Sequence, residues 1–380
     1  MNKQGAALAF SDTDSSRFGL RVLRGVDAGR DARALLTEIV DAAADVVIFR
    51  VPAGVPSAVR KLGRFGLHPL HADTLVEYDV ALSDHEPRPL RNADLVFAKA
   101  TPGDAAALQL LVAATFDGYV SHYHANPLFG RAQILAGYAQ WACGYLASEH
   151  PGLITWVAKR GDAVVAFACC SHGDDGDQAE GVLYGVDPAN SGGGVYGDLI
   201  RFTQGEFKRR GFRRMKVSTQ IWNFAVQKVW AREGFTLTRA WDTYHVNAML
   251  SAGEPMASCD VSYDAEQIAH FASVTGDSND IHQDPAAAAA AGFDGCIAPG
   301  MLTATELSRI FGTQNPGPGT LFSRCELIFL APVYAGRPYR LEIRAIAPPT
   351  ASGHVSAVAT LRDTDGGLCL LAYNDLLKRS

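Results

Sequence analysis

Apolar and polar positions alternate along the chain in a way that divides it into three stretches. In the first, Ala32 to Val40 carries apolar residues at helical spacing, and Val46-Val47-Ile48-Phe49-Arg50-Val51 reads as a buried strand stopped at Pro52. A helix near Ser57–Phe65 and a strand near Leu75–Leu82 are expected next. Ser83–Asn92, with two prolines and several charges, then reads as a linker.

The second stretch opens with a strand, Leu95–Ala100, and a helix start at Thr101-Pro102-Gly103-Asp104. There Thr caps, Pro takes the first turn and Asp complements the dipole. Helix Ala105–Phe116 follows. Strands are expected at Leu153–Ala158, Ala163–Ser171 and Gly181–Val186, then helix Val195–Arg209, strand Met215–Ser218, helix Asn223–Arg232 and strand Thr236–Val246. This alternation predicts a single sheet flanked by helices.

Ser251–Ala257, with Gly253 and Pro255, reads as a second linker. The third stretch has helix Asp264–Ser273, an alanine run at Ala286–Ala291 and helix Gly300–Phe311. Strands follow at Ser323–Phe329, Tyr339–Ala345, His354–Arg362 and Leu368–Leu376, a pattern that predicts a sheet wrapped around one helix. No fixed-period repeat is present.

Composition narrows the function classes. At 380 residues the chain has room for two or three domains. A net charge of −6, with no basic patch interleaved with aromatics, argues against nucleic acid as a partner. No apolar run approaches the roughly 18–20 residues of a membrane span, and Met1–Phe10 is too short and too weakly charged for a secretory signal. The seven cysteines are scattered without a C-x-x-C, so neither a zinc site nor a disulfide framework is expected. A cytoplasmic enzyme is the expectation.

Chemistry concentrates in two places. The first is Asp187-Pro188-Ala189-Asn190-Ser191-Gly192-Gly193-Gly194-Val195, between a strand and a helix. Glycines there can turn backbone N–H groups inward at a helix N-terminus, where the dipole favours an anion such as a pyrophosphate. A flexible surface loop is the plainer alternative. With the downstream Asn223…Trp230…Gly234-Phe235, the segment resembles the GNAT N-acyltransferase superfamily, whose pattern is V-x-P-x-x-[QR]-G-x-G-[IV]-[GA]-x-x-L followed by N-x6-Y-x3-G-F.

The resemblance implies acyl-CoA as substrate, with its pyrophosphate on the N–H groups of Gly192, Gly193, Gly194 and Val195. Pantetheine would lie in a splayed gap beside the strand ending at Val186, held in part by Asn223. Ser191 stands where Gln or Arg is usual. Trp230 stands in place of the Tyr that protonates the departing thiolate, and an indole N–H lacks the acidity for that step. Tyr196 or water would then supply the proton; otherwise the unit is a CoA-binding or acyl-carrier-binding adaptor. Phe116…His122-Tyr123…Tyr138-Ala139-Gln140-Trp141, with the leading segments Asp45–Pro52 and Gly66–Pro69, resembles the dTDP-fucosamine acetyltransferase group. That implies an amine acceptor on a nucleotide amino sugar, although Tyr138 and Trp141 also fit a plain helix face.

The second place is Thr275-Gly276-Asp277-Ser278-Asn279-Asp280-Ile281-His282-Gln283-Asp284. An acid and an imidazole close in sequence around a glycine bend can hold one water and pass protons, although such a pair can also be a hydrogen-bonded turn. The segment resembles the MaoC-like hot-dog hydratases, including the (R)-specific enoyl-CoA hydratases, with signature [ST]-x-D-x-N-P-[IL]-H-x-D. Phe293–Leu302 and Phe329–Gly336 extend the match over roughly Val261 to Ser380. The resemblance implies reversible addition of water to a 2-enoyl thioester. Asp277 and His282 would activate the water, the Gly300 backbone N–H would meet the developing oxyanion, and Asn279 would fix the loop. Asp280 stands where Pro is usual, and Pro299 where His often precedes Gly-Met.

Together these readings predict an α+β chain. Residues 1–92 would form a degenerate N-terminal GNAT-like half, 93–250 a mixed-sheet GNAT acyltransferase domain, and 258–380 a single hot-dog domain. No tightly bound cofactor is expected. The expected partners are an acyl-CoA or acyl-carrier thioester, an amine acceptor, and a second copy through the hot-dog domain, with no nucleic acid and no membrane. Cys169-Cys170 reads as core, and the basic run Lys208–Arg214 as a helix end or a contact for the CoA 3′-phosphate.

Overall fold

A computed structural model describes residues 8–26, 31–173, 176–346 and 350–379. Met1–Ala7, most of the stretch weighed as a secretory signal, lie outside the described residues.

Among the described residues, ten strands and six α-helices precede residue 248: β1 (Ala9–Phe10), α1 (Asp12–Phe18), β2 (Val22–Val26), α2 (Ala32–Asp41), β3 (Val46–Pro52), β4 (Pro69–Ala81), β5 (Leu95–Lys99), α3 (Ala105–Phe116), α4 (Arg131–Ala147), β6 (Leu153–Arg160), β7 (Ala163–His172), β8 (Gln178–Val186), α5 (Val195–Arg209), β9 (Arg214–Gln220), α6 (Phe224–Arg232) and β10 (Thr236–Asn247). The strands form one sheet in the order β1-β2-β3-β10-β4-β9-β8-β7-β6-β5. The first stretch and the second therefore share a sheet. β10 returns across the molecule to pair with β3 on one side and β4 on the other.

The final part contains β11 (Pro255–Val261), α7 (Ala265–Thr275), α8 (Pro285–Ala290), α9 (Gly300–Thr313), β12 (Thr320–Phe329), β13 (Tyr339–Ala345), β14 (His354–Arg362) and β15 (Leu368–Lys378). Its antiparallel sheet, in the order β11-β13-β14-β15-β12, wraps around α9, whose Leu307, Ile310 and Phe311 enter the core.

Strand periodicity assigns the opposite faces of this second sheet to different partners. Ala357, Ala359, Leu361, Leu370 and Ala372 face α9, whereas Val358, Leu371 and Tyr373 join a core containing Leu35, Leu36, Phe49 and Leu62 of the first stretch. The Tyr373 hydroxyl donates to the Ala248 carbonyl at 3.0 Å. Gly66, at φ 73°, lies so close to β12 that a Cβ would sit 2.9 Å from Ile328.

Several elements depart from the sequence expectation. Residues 59–65 form a 3-10 helix between Ser57, whose hydroxyl accepts from Val59 N–H, and Gly66 in the left-handed region. β4 starts at Pro69 because β10 pairs it from there, β9 joining on the other edge from Leu75, although His71, Asp73 and Thr74 break any apolar pattern. The expected linker Ser251–Ala257 ends inside β11, because Pro255 and Ala257 pair with β13. The basic run Lys208–Arg214 begins at the far end of the 15-residue α5, roughly 22 Å from the glycine loop. Its arginines bind Glu206 and Asp177, so it serves as a helix end rather than a CoA contact.

Candidate active sites in a cleft and at a helix start

The glycine loop joins β8 to α5. The Asp187 side chain accepts from Ala189 N–H, and the Ser191 hydroxyl donates back to the Pro188 carbonyl at 2.8 Å, turning that side chain into the loop. Gly192 and Gly194 have φ of 81° and 86°, where a Cβ is strained. Asn92 Nδ2 donates to the Gly193 carbonyl at 3.2 Å. Its own backbone N–H, with that of Arg91, is held by the Asp198 carboxylate at 2.9 Å. Burial opposes the charge on Asp198, but these donors and Arg201 outweigh it and keep the carboxyl below its usual range. The N–H groups of Gly192, Gly193 and Gly194 have no protein partner among the described residues, and they face the start of a helix.

Beside this loop the sheet opens. β8 and β9 pair in parallel only as far as Gly181 and Val217. Beyond them, β8 continues with β7 and β9 with β4. Val186 ends β8 at the loop, and its carbonyl accepts from Thr115 at 3.3 Å. A cavity of about 820 Å³ occupies the opening, with Gly181, Asn223, Tyr196 and Trp230 among its walls. Asn223 stands at the start of α6, its Nδ2 donating to Thr219 Oγ1 at 3.0 Å. Trp230 Nε1–H donates to the Tyr196 hydroxyl at 3.2 Å, so a phenol is held beside the indole. Burial pushes the Tyr196 phenol up, which keeps its proton in place. Tyr138 stacks on Phe116 at 4.3 Å, and both Tyr138 and Trp141 line the cavity.

The far wall comes from residues the sequence did not single out: Asp14, Arg17, Arg24 and Arg50. The available signal was Arg50, a lone charge inside the apolar run Val46–Val51. Cys169 and Cys170 are core, with burial pushing the Cys169 thiol up to about 12.

The second site is built around α9. Gly276, at φ 78°, ends α7 and starts the turn. The N–H of Asp277 points to Thr275 Oγ1, and Asn279 N–H to Asp277 Oδ1, each at 3.3 Å. Asn279 caps the 3-10 turn Asp280–His282 and so fixes the loop. His282 is buried, and its Nδ1 lies 2.7 Å from the Ile297 carbonyl. A carbonyl only accepts, so Nδ1 donates to it, and Nε2 is the ring nitrogen turned toward Asp277. Nε2 lies 3.8 Å from Asp277 Oδ2, close enough for one water to bridge them, and the Asp277 side chain is 39% exposed.

Ile297 also ties the histidine to the helix start. Its N–H donates to the Ile281 carbonyl, and Ala298 N–H donates to Val333, which places Pro299 and Gly300 at the head of α9. Gly300 opens the helix, and its first-turn N–H has no intrahelical acceptor. A side chain there would meet the Phe329 ring at 3.1 Å.

A carboxylate and imidazole near a helix start on a hot-dog sheet, together with a glycine-loop cleft in a splayed mixed sheet, give the chain two candidate active sites on two different sheets. Comparison with known proteins agrees. Residues 247–348 match the MaoC like domain and residues 120–235 the acetyltransferase (GNAT) family. The (R)-specific enoyl-CoA hydratase of Aeromonas caviae is 36% identical over 119 residues, covering 30% of this chain and 86% of that protein. The 3-hydroxybutyryl-CoA dehydratase of Methylorubrum extorquens is 32% identical over 101 residues, covering 26% of this chain and 64% of that protein. The solved structure of the (R)-hydratase from A. caviae involved in PHA biosynthesis superposes with a TM-score of 0.32 at 28% identity, over 34% of this chain and 98% of that one. The chain belongs, through its final third, to the MaoC-like hydratase and dehydratase family, and it carries a GNAT acetyltransferase domain ahead of it. No helix among the described residues is long and apolar enough to cross a membrane.

Proposed function

We propose that this chain is a bifunctional acyl-thioester enzyme of the cytoplasm, with a hydratase or dehydratase unit at 258–380 and an N-acyltransferase spanning 1–92 and 93–250. The observation carrying the first activity is His282 Nε2 lying 3.8 Å from Asp277, with Nδ1 locked on the Ile297 carbonyl. A water held between them loses a proton as its oxygen bonds to the β-carbon of a 2-enoyl thioester. The π electrons move toward the thioester oxygen, where the Gly300 N–H meets the charge, and a proton is delivered to the α-carbon. Dehydration is the reverse. Asn279 holds the loop and takes no part in proton transfer.

In the cleft, Gly192, Gly193, Gly194 and Val195 offer N–H groups to the CoA pyrophosphate, and Asn223 and the Val186 end of β8 border the pantetheine arm. The amine lone pair attacks the thioester carbonyl. A C–N bond forms, the C–S bond breaks with its electrons on sulfur, and the proton lost by nitrogen ends on the thiol. In this reading Tyr196, kept protonated by burial, relays the proton, giving its own to sulfur as it takes the one leaving nitrogen, with its hydroxyl oriented by Trp230. The acceptor we infer is an amine, a nucleotide amino sugar being one such compound, and the two activities are coupled through a 3-hydroxyacyl-CoA.

Exposed Leu321, Phe322 and Phe329 on the edge strand β12 support pairing of two copies through this domain. Crotonyl-CoA supplied with an amino sugar nucleotide should yield a 3-hydroxybutyryl amide by mass spectrometry; unchanged or crotonylated sugar rejects the coupling. Trp230 in place of a tyrosine favours a second reading, in which only the hydratase turns over and the GNAT unit is an adaptor. Tight acetyl-CoA binding with no CoA release across a panel of amines would support that alternative.

A further inference from the structure

The cavity runs well past the gap that would take a thioester. Arg50 on β3 is four strand spacings from Gly181 on β8, roughly 19 Å across the sheet, yet both line the same space. Its far end is made by the first fifty residues, and they build it from charge. Three guanidiniums, Arg17, Arg24 and Arg50, face it against the single carboxylate Asp14. Arg24 Nε binds Asp14 Oδ2 at 2.5 Å, and its guanidinium lies over the Tyr123 ring. Arg17 crosses α4 at Gly137, where a Cβ would come within 2.5 Å of its guanidinium carbon.

Arg50 is held more loosely, by a long ion pair and without a hydrogen bond on Nη1. On the cavity face, Thr243 of β10 pairs with Arg50 on one side and with Asp73 of β4 on the other. Arg50 Nη1 is 3.8 Å from Asp73 Oδ1. Nη1, both Asp73 oxygens and Thr243 Oγ1 are sealed from solvent without a hydrogen-bond partner. Buried polar groups are rarely left so, and of this row Arg50 is the one that lines the cavity, where its guanidinium can meet an anion. His122 and His245 beside the row are held uncharged by burial and by the arginines, so they add no charge of their own.

We propose that this arginine-lined end is the acceptor subsite, and that the acceptor is a primary amine carrying an anionic group, a carboxylate or a phosphate, seated on Arg50 with Arg24 and Arg17 around it. The inference rests on the transferase reading and narrows its substrate.

The test uses the full chain and two matched pairs, glucosamine 6-phosphate with glucosamine and β-alanine with β-alaninamide. Binding is read by calorimetry and CoA release by a thiol reagent with acetyl-CoA. The anionic member of at least one pair should bind at least about tenfold more tightly, as a charge-assisted contact requires, and which pair responds separates phosphate from carboxylate. Arg50→Met should abolish that preference and Arg50→Lys restore part of it. Arg-independent binding, equal affinity within both pairs, or no binding by any of the four overturns the inference. Equal CoA release from neutral and anionic amines would sink it while leaving the transferase standing. Arg50-dependent binding of an anionic amine with no CoA release would retain the subsite and remove the transferase reading.

Discussion

The histidine pair at the base of the cleft makes the protein's stability depend on pH in a calculable way. His122 Nδ1 and His245 Nε2 are 2.9 Å apart, and both rings are buried. Burial disfavours the imidazolium of His245, Arg24 and Arg50 add repulsion, and Asp14 opposes them weakly; the result is a pKa lowered from 6.5 to about 3. In the unfolded chain the same ring takes up a proton near pH 6.5. Between those values the native state binds fewer protons than the unfolded one, so stability is complete above about pH 6.5 and is lost as pH falls. The slope is about 1.4 kcal/mol per pH unit for one histidine, so by about pH 5 His245 alone removes roughly 2 kcal/mol. Urea unfolding of the intact chain at a series of pH values should show this decline. His245→Gln, which can still hydrogen-bond to His122 but cannot titrate, should lose roughly 2 kcal/mol less between about pH 7 and about pH 5. Identical declines in the two proteins would refute the reasoning.

Three further outcomes follow from the sites. Asp277→Asn or His282→Ala should each cut crotonyl-CoA hydration by about 10²–10⁴-fold while thiol release at the distant cleft is unaffected, read by ultraviolet absorbance and a thiol reagent side by side. Tyr196→Phe should lower kcat for acyl transfer with little change in the Kd for CoA; a loss confined to binding would remove its role as proton donor. Gly194→Ala forces a side chain into φ 86° at a cost of about 1–2 kcal/mol, so CoA affinity by calorimetry should fall by about tenfold.

Joining the two units has a physical consequence. Sheet residues 46 to 51 alternate between the cleft and the hot-dog domain: Ile48 and Arg50 face the aromatic and charged wall of the cavity, while Val47, Phe49 and Val51 join the core shared with Leu371 and Tyr373. One short strand thus contributes to both units. Substitutions at Val47, Phe49 or Val51, which line neither site, are expected to lower hydration and transfer together, read by the same two assays.

Much of this was legible from residue order. α5 begins at Val195 and ends at Arg209, and β13 and β14 match their expected bounds, because each has a clean period and a glycine or proline at its edge. The Asp277–His282 turn was readable because its chemistry lies within six residues, where chain geometry alone brings the groups together. The acceptor wall was not readable in this way. Arg17, Arg24 and Arg50 lie more than 130 positions before Gly181, Asn223 and Trp230, and only the return of β10 between β3 and β4 sets them in one cavity. Local sequence determined the helices, the glycine loop and the acid–imidazole turn, since these depend on backbone torsions and neighbours a few residues apart. Strand order decided which charges share an interior, because hydrogen bonding between distant strands is a property of the whole sheet.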